Sequence, residues 1–398
     1  MSSENSSHRQ SAPDLLRGLA ALVVVIHHFL LIFYPALFTT LAKHKHTESN
    51  IESQLSYSVF SFLWNGHFAV SIFFVLSGYV LSAGYFSRND LSLPTRSTLQ
   101  RYPRLILPVA VSVLLAWVLL RMNAFSNISV AQIYTKNEFW FENLWRIQPD
   151  ILAALKEALI QTPFFGGTLE YNPVLWTINL ELFGSLLVFA LLALCGQLRN
   201  RFIIYILLCL LLYKSHLIAF VIGTAIADHR YSNFFRELNR YLLSALVVVA
   251  VYAGSFHWMN FLQHGEWGVL EHMTGLTARL IYTAGASVLV FCAVNRTKTE
   301  SGRLKQTGAW LGNISFGVYL LHLICIGTFS CWLFGKLSET HIGYHWSAGI
   351  TFAGTLALLL PLSYGFWRFV DQYAIRVARY TAQTVFHQKA DPGIQRNS

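Results

Sequence analysis

Apolar stretches of about 20 residues, separated by shorter polar segments, recur along this chain. A membrane-spanning helix needs about 20 predominantly apolar residues to cross the hydrocarbon core. The pattern therefore predicts an all-α fold, a polytopic integral membrane helix bundle of about ten transmembrane helices. The predicted spans are residues 15–34, 60–86, 105–121, 174–196, 200–213, 215–228, 240–258, 278–295, 310–333 and 346–370.

The fifth and sixth spans are short and share the tight turn Tyr213-Lys-Ser215. They are either two separate spans or a re-entrant pair. Around them, we predict a polar N-terminal arm (1–13), a membrane domain (14–375) with a long connection (122–173), and a C-terminal tail (376–398). The chain ends soon after the last span, so we expect no second catalytic domain.

The distribution of basic residues predicts an orientation. With the N-terminus in the cytoplasm, 20 of the 29 Lys and Arg residues fall in cytoplasmic segments or at cytoplasmic helix ends. Cytoplasmic segments are the ones enriched in Lys and Arg. We therefore expect both termini in the cytoplasm. The short connections and the absence of organelle signals indicate a bacterial inner (plasma) membrane.

The long connection 122–173 is expected on the outer side, and connections of this length are often functional. Within it, residues 150–162 predict a short amphipathic helix. Its aromatic side chains either stack on sugar rings or lie at the membrane interface, where Trp and Tyr are common. These residues are Phe139, Trp140, Phe141, Trp145 and Tyr171, with Glu138, Glu142 and Asp150 among them.

Composition supports the membrane assignment. Hydrophobic residues make up 54% of the chain and charged residues only 12%, whereas soluble domains carry about 25% charged residues. The net charge of +10 is spread over many connections rather than forming one basic stripe, which argues against nucleic acid as a partner. The five cysteines lie in or beside apolar runs and show neither a disulfide framework nor a zinc spacing, so we expect no metal.

The first span carries polar residues deep inside. Arg17 and His28 are 11 residues apart, which is about three helical turns, so they share one face and are about 16 Å apart along the axis. A charge inside a span costs about 2.5–3.5 kcal/mol on insertion scales and often marks a functional site. His27 points about 100° away, and we assign it a structural role.

Polar residues in two other spans are expected at a similar depth. Glu181 lies in the fourth span, and Ser315, Tyr319 and His322 share one face of the ninth. We predict that His28, Glu181, Tyr319 and His322 meet in one intramembrane cavity, where a carboxylate could orient an imidazole base. The alternative for each is a structural group whose hydrogen bonds are satisfied by the protein.

Two further motifs carry candidate chemistry. Arg101-Tyr-Pro-Arg104 lies at the cytoplasmic start of the third span. Together with Arg17 it would suit a ligand rich in phosphate, because guanidinium groups bind phosphate oxygens in pairs. The alternative is ordinary positive-inside anchoring. In the second span, Ser71, Ser77 and Gly78 either allow close helix packing or leave room for a ligand, and packing is preferred for Ser77 and Gly78.

These motifs, taken in order, resemble those of the acyltransferase 3 family, the integral-membrane acyltransferases that include O-antigen and nodulation-factor acetyltransferases. The similarity runs over about residues 14–375. Two positions depart from the family: Ser71 stands where many members carry Asp, and Leu182 replaces a second glutamate. The matching elements are Arg17-x10-His28, Ile72-Phe-Phe-Val-Leu-Ser-Gly78-Tyr, Arg101-x-x-Arg104, Trp176-Thr-Ile-Asn-Leu-Glu181 and Ile314-Ser-Phe-Gly-Val-Tyr-Leu-Leu-His322.

The resemblance implies transfer of an acyl group, most often acetyl, from acyl-CoA to a hydroxyl, commonly on a carbohydrate. The expected partners are the lipid bilayer, acyl-CoA (acetyl-CoA) as donor substrate and a carbohydrate or lipid-linked sugar acceptor. The assigned residues are His28, Glu181 and Arg17 for catalysis, Arg17, Arg101 and Arg104 for the donor, and Trp176, Tyr319, His322 and Ser71 for the substrate.

Other functions remain open at this stage. A multi-span transporter or acyl-group permease could use the same intramembrane His and Glu residues, although no inverted repeat is visible. A structural or sensory membrane protein fits the ordered motifs least well. The acceptor is undetermined among surface polysaccharide, lipid-linked sugar, peptidoglycan and a small metabolite, and a succinyl or longer acyl group is also compatible.

Overall fold

A computed structural model describes residues 11–39, 41–137, 140–167, 169–232, 238–256, 268–295, 302–340 and 342–389. All regular structure in these ranges is helical, which confirms the predicted all-α class. The principal helices are α1 (Ser11–Phe33), α2 (Gly66–Arg88), α3 (Leu93–Arg121), α4 (Trp176–Cys195), α5 (Arg201–Leu211), α6 (Ile218–Arg230), α7 (Arg240–Gly254), α8 (Gly268–Asn295), α9 (Gly302–Cys325), α10 (Tyr344–Phe366) and α11 (Gln372–Lys389).

Short helical segments complete the described chain. The π-helical segment Ile326–Ser330 leads from α9 into a further helical segment, and Trp367–Asp371 joins α10 to α11. The remaining segments are Ala36–Thr39, Ala42–His44, Ile51–Ser56, Val59–Trp64, Asn127–Val130, Ala131–Thr135, Phe141–Asn143, Ile151–Lys156, Glu157–Phe165, Pro173–Leu175 and Cys331–Ser338.

Seven helical stretches among the described residues are long and apolar enough to cross a membrane, so the polytopic bundle is confirmed. The other three predicted spans correspond to α5, α6 and α7, with 11, 13 and 15 residues. These helices rise about 16–22 Å, which is less than the hydrocarbon thickness of about 30 Å. Arg201 at the start of α5 binds Asp228 near the end of α6 at 2.5 and 2.6 Å, so the two helices form a hairpin. Their lengths favour the re-entrant alternative.

Helices α1 and α9 pack side by side and run parallel. Gly18 lies against Leu311 so closely that a Cβ on this glycine would overlap the leucine, and His28 contacts His322 further along both helices. We call the two ends of the bundle the Arg17 end and the His28 end. The residues assigned to the site lie on α1, α2, α3, α4 and α9, and each of these helices contacts at least one other helix of this set.

Two glycines bring α2 and α6 into backbone contact. A Cβ on Gly78 would overlap the carbonyl oxygen of Phe220, and one on Gly223 would overlap the carbonyl oxygen of Val75. Small residues permit such close approach between helices that have no hydrophobic driving force in lipid. The structure therefore shows Gly78 in the packing role preferred for it.

Helix α3 begins earlier than the apolar pattern predicts. It starts at Leu93, with Pro94 in the first turn, a position that proline tolerates well because its missing N–H would have no helical partner. Arg101 and Arg104 therefore lie inside the helix, about one turn apart.

The connection 122–173 folds onto the bundle instead of extending from it. Phe141, Trp145 and Tyr171 are buried, and the indole N–H of Trp145 donates to the carbonyl oxygen of Tyr171 at 3.0 Å. Both predictions for these three side chains, sugar stacking and membrane-interface anchoring, are therefore wrong, because their rings fill the protein core. Trp140 is half-buried.

The connection also contains the short helix that the sequence predicted. The predicted helix at 150–162 is present as Ile151–Lys156, which continues into Glu157–Phe165. Glu138 and Phe139 lie outside the described residues.

The chain remains helical beyond the predicted end of the membrane domain. Helix α11 extends to Lys389, and it packs along α3 through Ala374, Ala378 and Ala382, which are spaced four residues apart and buried. Helix α11 therefore covers residues 376–389 of the segment 376–398 that was predicted as a C-terminal tail. Small residues on one face of a helix permit such close approach to a neighbouring helix.

Candidate active site

A cavity of about 470 Å³ lies inside the bundle at the Arg17 end, between α1, α2, α3, α4, α9 and the α10–α11 junction. Its walls near the middle of the bundle are largely apolar, with Val70, Phe73 and Ile178. Its polar lining consists of Arg17, Ser77, Arg101, Arg104, Thr177, Glu181, Asn313, Ser315, Tyr319, Asp371 and Gln372.

Arg101 and Glu181 form an ion pair in this cavity. Nη2 of Arg101 and the hydroxyl of Ser77 both donate to Oε1 of Glu181, the hydroxyl at 2.7 Å. The Nε–H of Arg101 is buried and has no hydrogen-bond partner among the described residues. A buried N–H of this kind costs free energy unless a ligand or water accepts from it. The Arg101 guanidinium thus retains a donor for a ligand.

Arg104 binds a carboxylate from the other side of the cavity. Its Nη1 donates to Oδ1 of Asp371, and its Nη2 donates to Oδ2 at 3.3 Å. Asp371 ends the π-helical turn between α10 and α11, a kind of local widening that often occurs at functional sites. Arg17 also lines the cavity, and its Nη1 lies 4.0 Å from Oδ1 of Asp14. The three arginines predicted to act together therefore share one cavity.

His28 and His322 form a pair beyond the inner end of this cavity. Nε2 of His322 lies 3.1 Å from Nδ1 of His28, and neither ring lines the cavity. Tyr319 stands between the two regions, because it lines the cavity and its ring lies 6.0 Å from the ring of His322. The Tyr319 hydroxyl donates to the carbonyl oxygen of Val174 and accepts from Thr177 at 2.7 Å.

The single cavity predicted for His28, Glu181, Tyr319 and His322 is divided in the structure. Glu181 and Tyr319 line the cavity, but the imidazole pair lies on the far side of Tyr319. Glu181 pairs with Arg101 rather than with an imidazole. The reason is depth: Thr177 is already level with Tyr319, so Glu181 lies one turn nearer the Arg17 end.

Three other residues singled out in the sequence lie at the His28 end, outside the cavity lining. The Ser71 hydroxyl donates to the carbonyl oxygen of His67, one turn back on the same helix, at 3.0 Å. The Trp176 ring lies 5.9 Å from the ring of His216. His27 places its Nδ1 2.9 Å from the carbonyl oxygen of Trp64, which agrees with the structural role assigned to it.

Sequence reasoning missed several residues of the cavity. Ser77 was assigned to packing, yet its hydroxyl binds Glu181. Thr177 sits inside the Trp176–Glu181 motif, where its proximity to Glu181 was the available signal. Asp371 directly follows the last predicted span, and an acidic residue at that border could have drawn attention. Asn313 carries no comparable signal.

The bundle and its cavity define a class: a polytopic membrane protein with a charged site enclosed by its helices. Residues 10–368 match the family described as an acyltransferase domain, the acyltransferase 3 family. Because this match covers most of the chain, the protein belongs to the acyltransferase 3 family and is a membrane acyltransferase. No curated protein and no solved structure matches the chain. Membership in an enzyme family favours the acyltransferase function over the transporter alternative.

Proposed function

We propose that this enzyme transfers an acyl group, acetyl in the first instance, from acyl-CoA to a hydroxyl of a carbohydrate or other cell-envelope acceptor. The observation that carries the proposal is the convergence of Arg17, Arg101 and Arg104 in one cavity whose inner end reaches Tyr319, next to His28 and His322. The cavity supplies a place for an anionic donor, and the imidazole pair supplies a base.

The donor would bind with its phosphates at the Arg17 end. Guanidinium forks bind phosphate oxygens through paired, charge-assisted hydrogen bonds, and the buried Nε–H of Arg101 offers a further donor. The rise from Arg17 to His28 is about 16 Å along α1, a length that an extended pantetheine arm could cover. The apolar wall around Val70 and Phe73 would accept the arm and its acyl end.

The chemical step then occurs at His28. Nε2 of His28 takes the proton of the acceptor hydroxyl while the hydroxyl oxygen attacks the thioester carbonyl carbon. The new C–O bond forms, the C–S bond breaks, and the CoA thiolate leaves and receives the proton back from His28. A route in which His28 briefly carries the acyl group uses the same geometry.

Tyr319 controls the path between donor and base in this proposal. Its ring and the Thr177 hydroxyl separate the cavity from the imidazole pair, so the thioester must displace or rotate the Tyr319 side chain to reach His28. The acceptor would enter from the His28 end, where Trp140 lies 5.8 Å from the ring of His28. With the predicted orientation, the donor comes from the cytoplasm and the acceptor from the outer face.

The test is transfer by the purified protein in nanodiscs with radiolabelled acetyl-CoA. We expect wild type to release CoA, Arg17→Ala to lose donor binding, and His28→Ala to bind donor without turnover. Two matched controls are Arg96→Ala, at an exposed arginine of α3, and His345→Ala, at an exposed histidine, and both should behave as wild type. A wild-type protein that neither binds nor consumes acyl-CoA would refute the proposal.

A further inference from the structure

The hydrogen bonds of His322 determine which of its ring nitrogens carries the proton. Its Nδ1 lies 2.7 Å from the carbonyl oxygen of Tyr319 and 3.1 Å from that of Val318. A carbonyl oxygen only accepts, so Nδ1 must be the N–H. A neutral imidazole has one N–H, and Nε2 of His322 therefore presents its lone pair to His28.

The same reasoning extends to His28. Its Nδ1 lies 3.0 Å from the carbonyl oxygen of Val24 and 3.1 Å from Nε2 of His322. Both of these atoms accept hydrogen bonds, so Nδ1 of His28 must carry the proton. The remaining nitrogen of His28, Nε2, is then unprotonated, which is the form that a general base requires.

We propose that His322 is a positioning residue that holds His28 in the tautomer whose Nε2 is the base. The proposal deepens the function proposed above and rests on it. The carbonyl groups of Val318 and Tyr319 in α9 fix which ring nitrogen of His322 carries the proton. His322 in turn fixes the tautomer of His28 on α1. When Nε2 of His28 takes a proton, its Nδ1–H bond to His322 becomes charge-assisted and stronger.

This role differs from the substrate contact predicted for His322 from the sequence. Its ring is fully buried, and both nitrogens are occupied by protein atoms. No ring nitrogen is left to bind an acceptor. A buried polar group with all its partners in place rigidifies its surroundings, which is what a precisely held base needs.

Val24 alone does not secure the arrangement. Its carbonyl oxygen, one turn back on the same helix, shares the Nδ1–H of His28 with Nε2 of His322, so loss of His322 weakens the preference for a proton on Nδ1. If His322 adopted the opposite tautomer, its Nε2–H would point at the Nδ1–H of His28 and favour a proton on Nε2 of His28 instead. The two α9 carbonyl groups prevent this by requiring the N–H on the other side of His322.

Two substitutions separate positioning from a purely structural role. In His322→Gln, the side-chain amide reaches the position of Nε2 and can accept from His28. In His322→Asn, the amide reaches only the position of Nδ1, so it retains the bond to the Tyr319 carbonyl and loses His28. If His322 positions His28, Gln should be the milder change. If His322 only stabilises α9, Asn should be the milder change.

We expect His322→Asn to lower kcat by about 10- to 100-fold, by analogy with metal-binding histidines that lose their orienting partner. His322→Gln should retain most of the activity. The KM for acetyl-CoA should remain within about twofold in both variants, because His322 does not line the cavity at the Arg17 end. Thermal unfolding of each purified variant would confirm that both are folded.

Nitrogen NMR on histidine-labelled protein measures the tautomer without any turnover. We expect His28 of the wild type to be protonated at Nδ1 and unprotonated at Nε2. In His322→Asn, we expect a mixture of the two neutral tautomers at His28. A wild-type His28 protonated at Nε2, an Asn variant as active as wild type, or an Asn variant more active than Gln would each overturn the proposal. If wild type transfers no acyl group, the proposed function fails, whereas the NMR result still decides the role of His322.

Discussion

Arg104 and Asp371 form a two-point ion pair that joins the middle of α3 to the junction of α10 and α11, and both side chains line the cavity. Asp371 is only 5% exposed, so its carboxylate faces Arg104 rather than solvent. In the proposed enzyme, this carboxylate competes with the donor phosphates for the guanidinium group. It therefore offers a direct test of how the cavity binds anions.

Asp371→Asn should strengthen donor binding. The substitution keeps the shape and one hydrogen-bond acceptor but removes the competing negative charge. The change is about 1 kcal/mol, because the Arg104 side chain is 30% exposed and solvent screens the pair. The KM for acetyl-CoA should fall by about fivefold, measured by steady-state transfer in nanodiscs. Asp90→Asn is the matched control, because Asp90 pairs with Arg96, an exposed arginine of α3 that does not line the cavity. An unchanged or higher KM in Asp371→Asn would contradict competition at Arg104.

Glu157→Gln should destabilise the long connection. The buried carboxylate of Glu157 accepts hydrogen bonds from the backbone N–H groups of Glu170, Tyr171 and Asn172, the shortest at 2.7 Å. A glutamine amide would turn an N–H₂ group toward these donors and leave one unsatisfied, which costs about 1–3 kcal/mol. Thermal unfolding in detergent should show a lower Tm than for wild type. Glu339→Gln, at an exposed pair with Lys336, should change the Tm little.

Gly223→Ala should disturb the contact between α2 and α6. The added Cβ would overlap the carbonyl oxygen of Val75, so the two helices must move apart. Overpacking of this kind costs about 1–3 kcal/mol, and we expect a corresponding loss of thermal stability. Gly365→Ala provides the control, because nothing lies within 4 Å of its new Cβ. Equal Tm values for the two variants would show that the close approach is not needed.

Stability should also depend on His46, which lies in the connection between α1 and α2. Burial lowers the pKa of His46 from 6.5 to about 4, and its ring stacks on Tyr344 at 4.0 Å. The folded protein binds a proton on His46 less readily than the unfolded chain does. The stability of the fold is therefore highest above pH 6.5 and falls as the pH drops from 6.5 through about 4. The Tm should therefore drop over that window, and His46→Gln should drop less. Parallel Tm profiles for the two proteins would exclude His46 as the cause.

The sequence by itself determined the helices and the chemistry available to them. In lipid, every backbone N–H and C=O must be satisfied within its own segment, so an apolar stretch of sufficient length becomes a helix whatever surrounds it. The spacing of Arg17 and His28 on one helix, and of Arg101 and Arg104 on another, was readable for the same local reason. The ordered motifs then indicated the acyltransferase family, which the family match confirms.

Only the tertiary structure decided which of these groups meet. The partners of Arg104 and His28 are Asp371 and His322, and each lies more than 260 residues away along the chain. Such pairs depend on which helices are neighbours and on the depth at which each helix begins. The periodicity of a helix in the sequence reveals neither of these. The burial of Trp145 and the placement of Glu181 beside Arg101 follow from the same packing, because side chains of similar composition enter the core or the cavity according to how the helices are arranged.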